Sequence, residues 1–335
     1  MRVYSVERFG LAGLALREVD EPTPGPGQVV VDVKALSLNY RDLMVVKGAY
    51  NPKLPLPATP ISDGAGVVSG LGAGISGLTV GQRVVSHFIA DWQQGPYRGQ
   101  YVTSTLGAPG PGLAAEKVVL PAHAVLPIPD GYDFAQAATL PIAALTAWSA
   151  LVTEGRLEAG QTVLTLGTGG VSIFALQLAM AMGARVIITS RSDEKLERAR
   201  KLGADFTVNC ETEPNWDTRV LELTGAEGVD ITVETSGAGT LDRSFRATRA
   251  GGLIALIGVL SGAAAQVTAV TMMMRRQRLH GILVDSREAF EAMNRFLVAN
   301  KIRPVIDQRF PFEQLRDAFD LMASGRHFGK IVIDV

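Results

Sequence analysis

Cysteine is nearly absent from this chain. A single thiol, Cys210, among 335 residues leaves no partner for an internal disulfide and no second thiolate for a cysteine-rich zinc site; it reads as an ordinary buried thiol. Histidine is scarce too, and His87, His123, His280 and His327 lie far apart, without the close spacings of metal-binding segments. Net charge is also lacking: 32 Lys and Arg against 33 Asp and Glu leave a formal charge of -1. The basic excess that a phosphate backbone demands is missing, so nucleic acid is not an expected partner. No stretch approaches the ~18 unbroken apolar residues of a membrane span, and the opening MRVYSVERFG carries charges where an export signal has its apolar core. A cytoplasmic protein with no membrane attachment is the expectation.

The length suits about two domains. Up to residue 128 the chain reads as short strands broken by Gly and Pro, such as QVVVDVKALSLN, GAGVVSGLG and GQRVVSHF, which predicts a β-rich, barrel-like domain. Within it ADWQQGPYRGQYVTSTLGAPGPG, Ala90 to Gly112, has no sustained period and reads as a long surface loop. After Pro129, compact apolar runs (TVLTLG, ARVIITS, DFTVNC, DITVETS, GLIALIG, RLHGILV) alternate with helical patterns, which predicts an α/β domain with a doubly wound parallel sheet over 129–285. The tail, 286–335, carries two helical patterns and two short strands and is expected to return to the first domain.

The most informative turn is LTLGTGGVS. Gly167, Gly169, Gly170 and Val171 follow a buried strand and open a helix, where a Rossmann fold needs a tight turn and close approach of backbone N–H groups to a pyrophosphate. Ser172 stands at the third fingerprint position in place of Gly or Ala. About twenty residues on, an NAD-preferring site places an acid on the ribose; this chain has Thr189, Ser190 and Arg191, with Lys195 close behind. A hydroxyl donor and two cations suit a 2′-phosphate, so NADPH is expected over NADH.

The motifs NYRDLMVVKG, PISDGAGVV, LTVGQRV, ATLPIAALTAW, LGTGGVS and LIGVLSG, in this order over nearly the whole chain, resemble the medium-chain dehydrogenase/reductase superfamily, and within it the zinc-independent quinone oxidoreductase branch. The resemblance implies a GroES-like catalytic domain from 1–128 and 286–335. Zinc-dependent relatives hold a catalytic metal at positions that fall here on Asn39, Ser62 with Asp63, and Ile142. Ile142 cannot ligate, and without thiolates or a histidine a hard carboxylate and a weak amide make no plausible zinc site, so no zinc is expected. The resemblance further implies nucleotide contacts at Thr146, Asn209, Ser236, Gly258, Val259, Leu260, Ile282 and Leu283.

Without a Lewis acid, hydride delivery to the β-carbon of an enone or quinone remains workable, provided that a donor stabilises the enolate and a proton follows. Tyr50, in a Gly-x-Tyr sequence like that of 2-enoyl thioester reductases, is the candidate donor, since phenols are protonated at neutral pH. Asn39 is the second candidate, able to position a carbonyl or ribose through either end of its amide. Asp42 beside Arg41 reads as an ionised structural acid. Three alternatives stand beside the quinone or enone reductase: a 2-enoyl thioester reductase, a metal-independent alcohol dehydrogenase, and an NADPH-binding protein with little turnover. The substrate is expected to be a small molecule. The Met272–Met274 run reads as core or subunit interface, and RLHGILV as an edge strand for a homodimer.

Overall fold

The computed structural model describes residues 1–335. The chain divides into a first unit, Met1–Ala143 with Asp285–Val335, and a second, Ala144–Val284.

In the first unit the strands are β1 (Arg2–Val6), β2 (Leu14–Glu18), β3 (Gln28–Ser37), β4 (Asp63–Leu71), β5 (Arg83–Ser86), β6 (Lys117–Pro121) and β7 (Val125–Pro127), joined by β14 (Ile306–Pro311) and β15 (Lys330–Asp334) from the tail. They form a β1–β2 ribbon and a seven-stranded sheet in the order β14-β15-β3-β4-β5-β7, with β6 also on β3. The length of β3 makes this possible. One edge pairs with β4, while the other serves β6 through Gln28–Asp32 and β15 through Ala35–Ser37. Val29, Val31 and Val33 belong to a core shared with Leu36, Phe319, Ile331 and Ile333, so the tail closes this core and is not an appendage. Gly66 lies where a Cβ would stand 2.1 Å from the Asp32 carbonyl oxygen, a backbone approach that only glycine permits.

The division falls after Ala143, not after residue 128 as composition suggested. Segment 129–143 is held by polar contacts that carry no periodic signal: Tyr132 donates to the Ile302 carbonyl at 2.5 Å, and Arg83 donates to the Tyr132 carbonyl at 2.8 Å. The Ala90–Gly112 stretch is ordered around a 3-10 turn at Gly99–Ser104, with Trp92, Tyr97 and Tyr101 packed ring against ring at 5.2 to 6.3 Å.

The second unit holds β8 (Thr162–Leu166), β9 (Arg185–Ser190), β10 (Phe206–Asn209), β11 (Val229–Glu234), β12 (Thr248–Leu256) and β13 (Arg278–Gly281) in the order β10-β9-β8-β11-β12-β13. All pairings are parallel. The central strands β8 and β11 are rich in Val, Ile and Leu because both faces are covered, and all of β8 is buried, its two threonines included. Helix Asp193–Lys201 starts and stops where sequence signals place it. Ser192 accepts from the Lys195 N–H, acids fill the first turn and bases the last, and Gly203 follows at φ 105. Of the methionine run, Met273 and Met274 are 66% and 73% exposed, which removes the core reading for both. No helix is long and apolar enough to cross a membrane.

Candidate active site and nucleotide cradle

In the second unit the sheet order turns between β8 and β11, and the carboxyl ends of the parallel strands share one edge. That edge at that turning point is where open α/β sheets take ligands. Gly167 there has φ +74, and a Cβ built on Gly167 or Gly169 would meet nothing within 4 Å. A glycine forced by crowding has neighbours. These two instead leave open space beside the backbone, the shape a pyrophosphate needs. Gly169 begins helix Gly170–Ala181 with no side-chain cap, leaving the first-turn N–H groups available to an anion. Ser172 has a use of its own: its hydroxyl donates to the Leu166 carbonyl at 2.7 Å and pins the helix to β8. Thr235 donates to the same oxygen at 2.7 Å.

Ser190 and Asn209 stand side by side in the register of β9 and β10. Ser190 Oγ accepts from the Ser192 N–H at 3.2 Å, a bond that uses an oxygen lone pair and not the hydroxyl proton. Asn209 donates to Asp193 at 2.7 Å and accepts from the Glu211 N–H at 3.0 Å, so both ends of its amide are engaged and the nearest helix acid is tied to it. Arg191 is exposed and Lys195 half-buried. Ser236 and Gly258 follow β11 and β12 at the same sheet edge, with Val259 and Leu260 exposed beyond them; Ile282 is buried and Leu283 exposed after β13. Thr146 is buried in helix Leu145–Trp148, on no strand end. Cys210 is free and half-buried, and burial raises its thiol pKa.

In the first unit, helix Tyr40–Val46 projects Asn39, Arg41 and Asp42 into a buried polar cluster that the sequence shows only in part. Its centre is Lys330, at the start of β15 and 3% exposed. The ammonium donates to the Leu38 carbonyl at 2.6 Å and to Asn39 Oδ1 at 2.7 Å. Asp63 accepts from the Ser62 hydroxyl at 2.9 Å and the Ile142 N–H at 3.0 Å, and Asp42 accepts from the Asn39 N–H at 2.8 Å. Burial dominates the titration of all three charges. It raises the Asp63 pKa, lifts Asp42 to about 6 against the pull of Arg41, and lowers Lys330 to about 8 against the pull of both carboxylates. Asp42 is therefore not the easily ionised acid that its neighbour Arg41 suggested, because complete burial outweighs the guanidinium.

The lysine also decides what Asn39 can do. An ammonium has only donors, so it fixes the amide oxygen toward itself and leaves Nδ2 as the free end. That nitrogen is turned toward Asp63, makes no hydrogen bond of ordinary geometry and is buried in a residue 8% exposed. Asn39 is thus a donor only, narrower than its sequence allowed. Tyr50 is 39% exposed and lies over the Arg41 guanidinium at 4.5 Å, with Phe88 on Arg41 at 4.9 Å. As a zinc site these positions do not fit. Asn39 offers its oxygen to an ammonium, Ser62 and Ile142 donate to Asp63, and no group of three His, Cys, Asp or Glu could hold a metal. Lys330, 291 residues from Asn39, is the member sequence reasoning missed; the signal was a charge opening the apolar run KIVIDV.

Two family profiles match: "Alcohol dehydrogenase GroES-like domain" over residues 25–130 and "Zinc-binding dehydrogenase" over 170–299. A zinc-type alcohol dehydrogenase-like protein of Schizosaccharomyces pombe is 40% identical over 316 residues, 92% of this chain and 91% of that one. Among solved structures, an NAD-dependent alcohol dehydrogenase superposes with TM-score 0.91 at 35% identity, covering 100% of both chains. The mycobacterial protein Rv1454c, complexed with NADPH, does so with TM-score 0.86 at 25% identity, again over 100% of both chains. The zinc in the relatives' names meets, in this chain, the ammonium-centred cluster just described. With both units matched and a relative this similar over nearly its full length, the chain belongs to the medium-chain dehydrogenase/reductase superfamily and is an oxidoreductase of its alcohol dehydrogenase-like type.

Proposed function

We propose that this oxidoreductase is NADPH-dependent, works without zinc and reduces activated C=C bonds such as those of enones and quinones. The observation that carries the reading is Asn39 Nδ2, a buried donor set in place by Lys330 that turns toward Asp63 without forming a hydrogen bond of ordinary geometry. An amide nitrogen carries two N–H groups, so beside Asp63 it can still serve a substrate oxygen. An enolate oxygen, charged only after hydride reaches the β-carbon, is the acceptor that repays such preorganisation. Tyr50 then supplies the proton that quenches the enolate, with its ring held against Arg41. NADPH, when bound, supplies the hydride. Its preference over NADH is supported by Ser190 and Arg191 where an acid would select the unphosphorylated ribose, and by the NADPH complex of one similar protein.

Turnover of an enone panel with NADPH, undiminished by a chelator, is the expected result; activity confined to simple alcohols and abolished by chelation would overturn the proposal. The relatives' names favour alcohol chemistry, so both panels belong in the same assay. Tyr50→Phe should lower kcat about a hundredfold or more, the usual worth of a general acid. An unchanged kcat removes Tyr50 from the mechanism.

We also propose a homodimer. β13 ends the second unit's sheet with one backbone edge unpaired, and Val270, Met273 and Met274 are exposed on the short helix just before it. A second copy pairing antiparallel with this edge satisfies the backbone and covers the methionines. Light scattering should give the mass of two chains; a monomer at micromolar concentration refutes the pairing.

A further inference from the structure

Two loops at the carboxyl edge of the second unit's sheet approach each other more closely than side chains allow. A Cβ on Gly258 would stand 1.8 Å from the Thr235 carbonyl oxygen, and one on Gly237, which has φ +88, would stand 2.8 Å from the Gly258 carbonyl oxygen. Backbone this close needs hydrogen bonds to set its spacing.

On the β11 side they come from Glu234, completely buried at the strand end. One carboxylate oxygen accepts from the Ser236 N–H at 2.8 Å, the Gly237 N–H at 3.0 Å and the Thr240 hydroxyl at 2.8 Å; the other accepts from the Ser244 hydroxyl. The Glu234 carbonyl in turn accepts from the Ile257 and Gly258 N–H groups at 2.8 and 3.2 Å. On the β12 side they come from Ser261. Its hydroxyl donates to the Ser236 carbonyl at 2.7 Å and accepts from the Gly239 N–H at 2.8 Å, while its own N–H donates to the same Ser236 carbonyl at 2.7 Å. An exposed serine therefore ties the loop carrying Ser236 to the loop carrying Gly258–Leu260 by three bonds, two of them through its side chain.

We propose that Ser261 is a positioning residue for the dinucleotide: by bridging the loops after β11 and β12 it holds the Ser236 and Gly258 backbone at the spacing that the bound cofactor requires. The proposal rests on the NADPH reading of this edge. Glu234, buried and satisfied by both loops, is the fixed base of the bridge, and Ser261 is its adjustable end. An exposed hydroxyl that bonds only backbone contributes little to the core, so its removal should spare stability and change the cofactor step.

The test is NADPH binding by fluorescence titration, with kcat and KM for NADPH and the melting temperature of the cofactor-free protein. Losing two hydrogen bonds of roughly 1 kcal/mol each gives Ser261→Ala an NADPH Kd about 10- to 30-fold weaker. KM for NADPH should rise in parallel, with kcat at saturation and the melting temperature unchanged. Ser261→Thr, which keeps the hydroxyl, should restore affinity. Affinity equal to wild type in Ser261→Ala overturns the proposal, and so does a fall in melting temperature with affinity intact. Wild-type protein that binds neither NADPH nor NADH overturns the dinucleotide reading itself, a result distinct from either.

Discussion

Lys330→Met is expected to lower the free energy of unfolding at pH 7 by about 3–5 kcal/mol, the scale for removing one partner from a buried charge cluster. Methionine nearly matches the lysine stem in volume, so the loss is electrostatic and not a cavity. Four charges meet in the cluster, Asp42 and Asp63 against Arg41 and Lys330, and the carboxylates are completely buried. Without the ammonium one negative charge is left unbalanced. The pH dependence identifies the cause. In the wild type, burial raises Asp42 from 3.8 to about 6, so its contribution to stability is full below pH 4 and lost as pH rises through 6. Lys330 is lowered from 10.5 to about 8, so its contribution is full above 10.5 and lost as pH falls through 8. The cluster is least favourable to stability between those limits.

In Lys330→Met the carboxylates can relieve the imbalance only by taking protons. The deficit in denaturant unfolding should therefore shrink from pH 7 to pH 5, and Asp63→Asn in the same chain should recover much of it. A deficit below about 1 kcal/mol at pH 7, the worth of an exposed pair, would mean that water and not lysine balances these acids. The same variant frees Asn39 Oδ1, so the amide loses the constraint that makes it a donor.

Gly169→Val is the second large effect, with stability and binding separating. Residue 169 has φ -76, a conformation that any residue adopts, and a Cβ there meets nothing within 4 Å. The fold should accept valine with a loss of no more than about 1 kcal/mol, since only an N-cap position is disturbed. NADPH should bind about a hundredfold more weakly or worse, roughly 3 kcal/mol, because the methyls occupy the space beside the helix N-terminus. Calorimetric unfolding and fluorescence titration on the same sample check both halves. Affinity within about threefold of wild type would place the pyrophosphate elsewhere.

Much of the second unit was legible in the sequence for a simple reason: a parallel sheet buried on both faces writes its strands as short apolar runs, and the helices between carry their own start and stop residues. Ser192 and Gly203 bracket their helix as expected. The glycine turn was legible because its features are local: Gly167 takes a positive φ and Gly169 leaves open space beside the helix start, and neither depends on a distant partner. What could not be read were partnerships across long separations. Asn39 meets Lys330 across 291 residues, and nothing local in NYRDLM says that the helix start is buried deeply enough to raise an acid. Burial likewise decided the boundary near residue 143, where a tyrosine hydroxyl and a carboxylate fasten a segment whose composition belongs to neither neighbour.

The unit boundaries have an evolutionary consequence. Every candidate nucleotide contact, from Thr146 to Leu283, lies in one uninterrupted stretch, Ala144–Val284, whereas the unit holding Asn39, Tyr50 and Lys330 is assembled from the two ends of the chain. Two crossovers in a gene would exchange the whole set of candidate nucleotide contacts as a cassette. Any single crossover inside that stretch would part Asn39 from Lys330 and divide two lineages within one charge cluster. The candidate nucleotide contacts are thus free to be inherited together by recombination, while the Asn39–Lys330 pair is constrained to travel with both ends of the sequence.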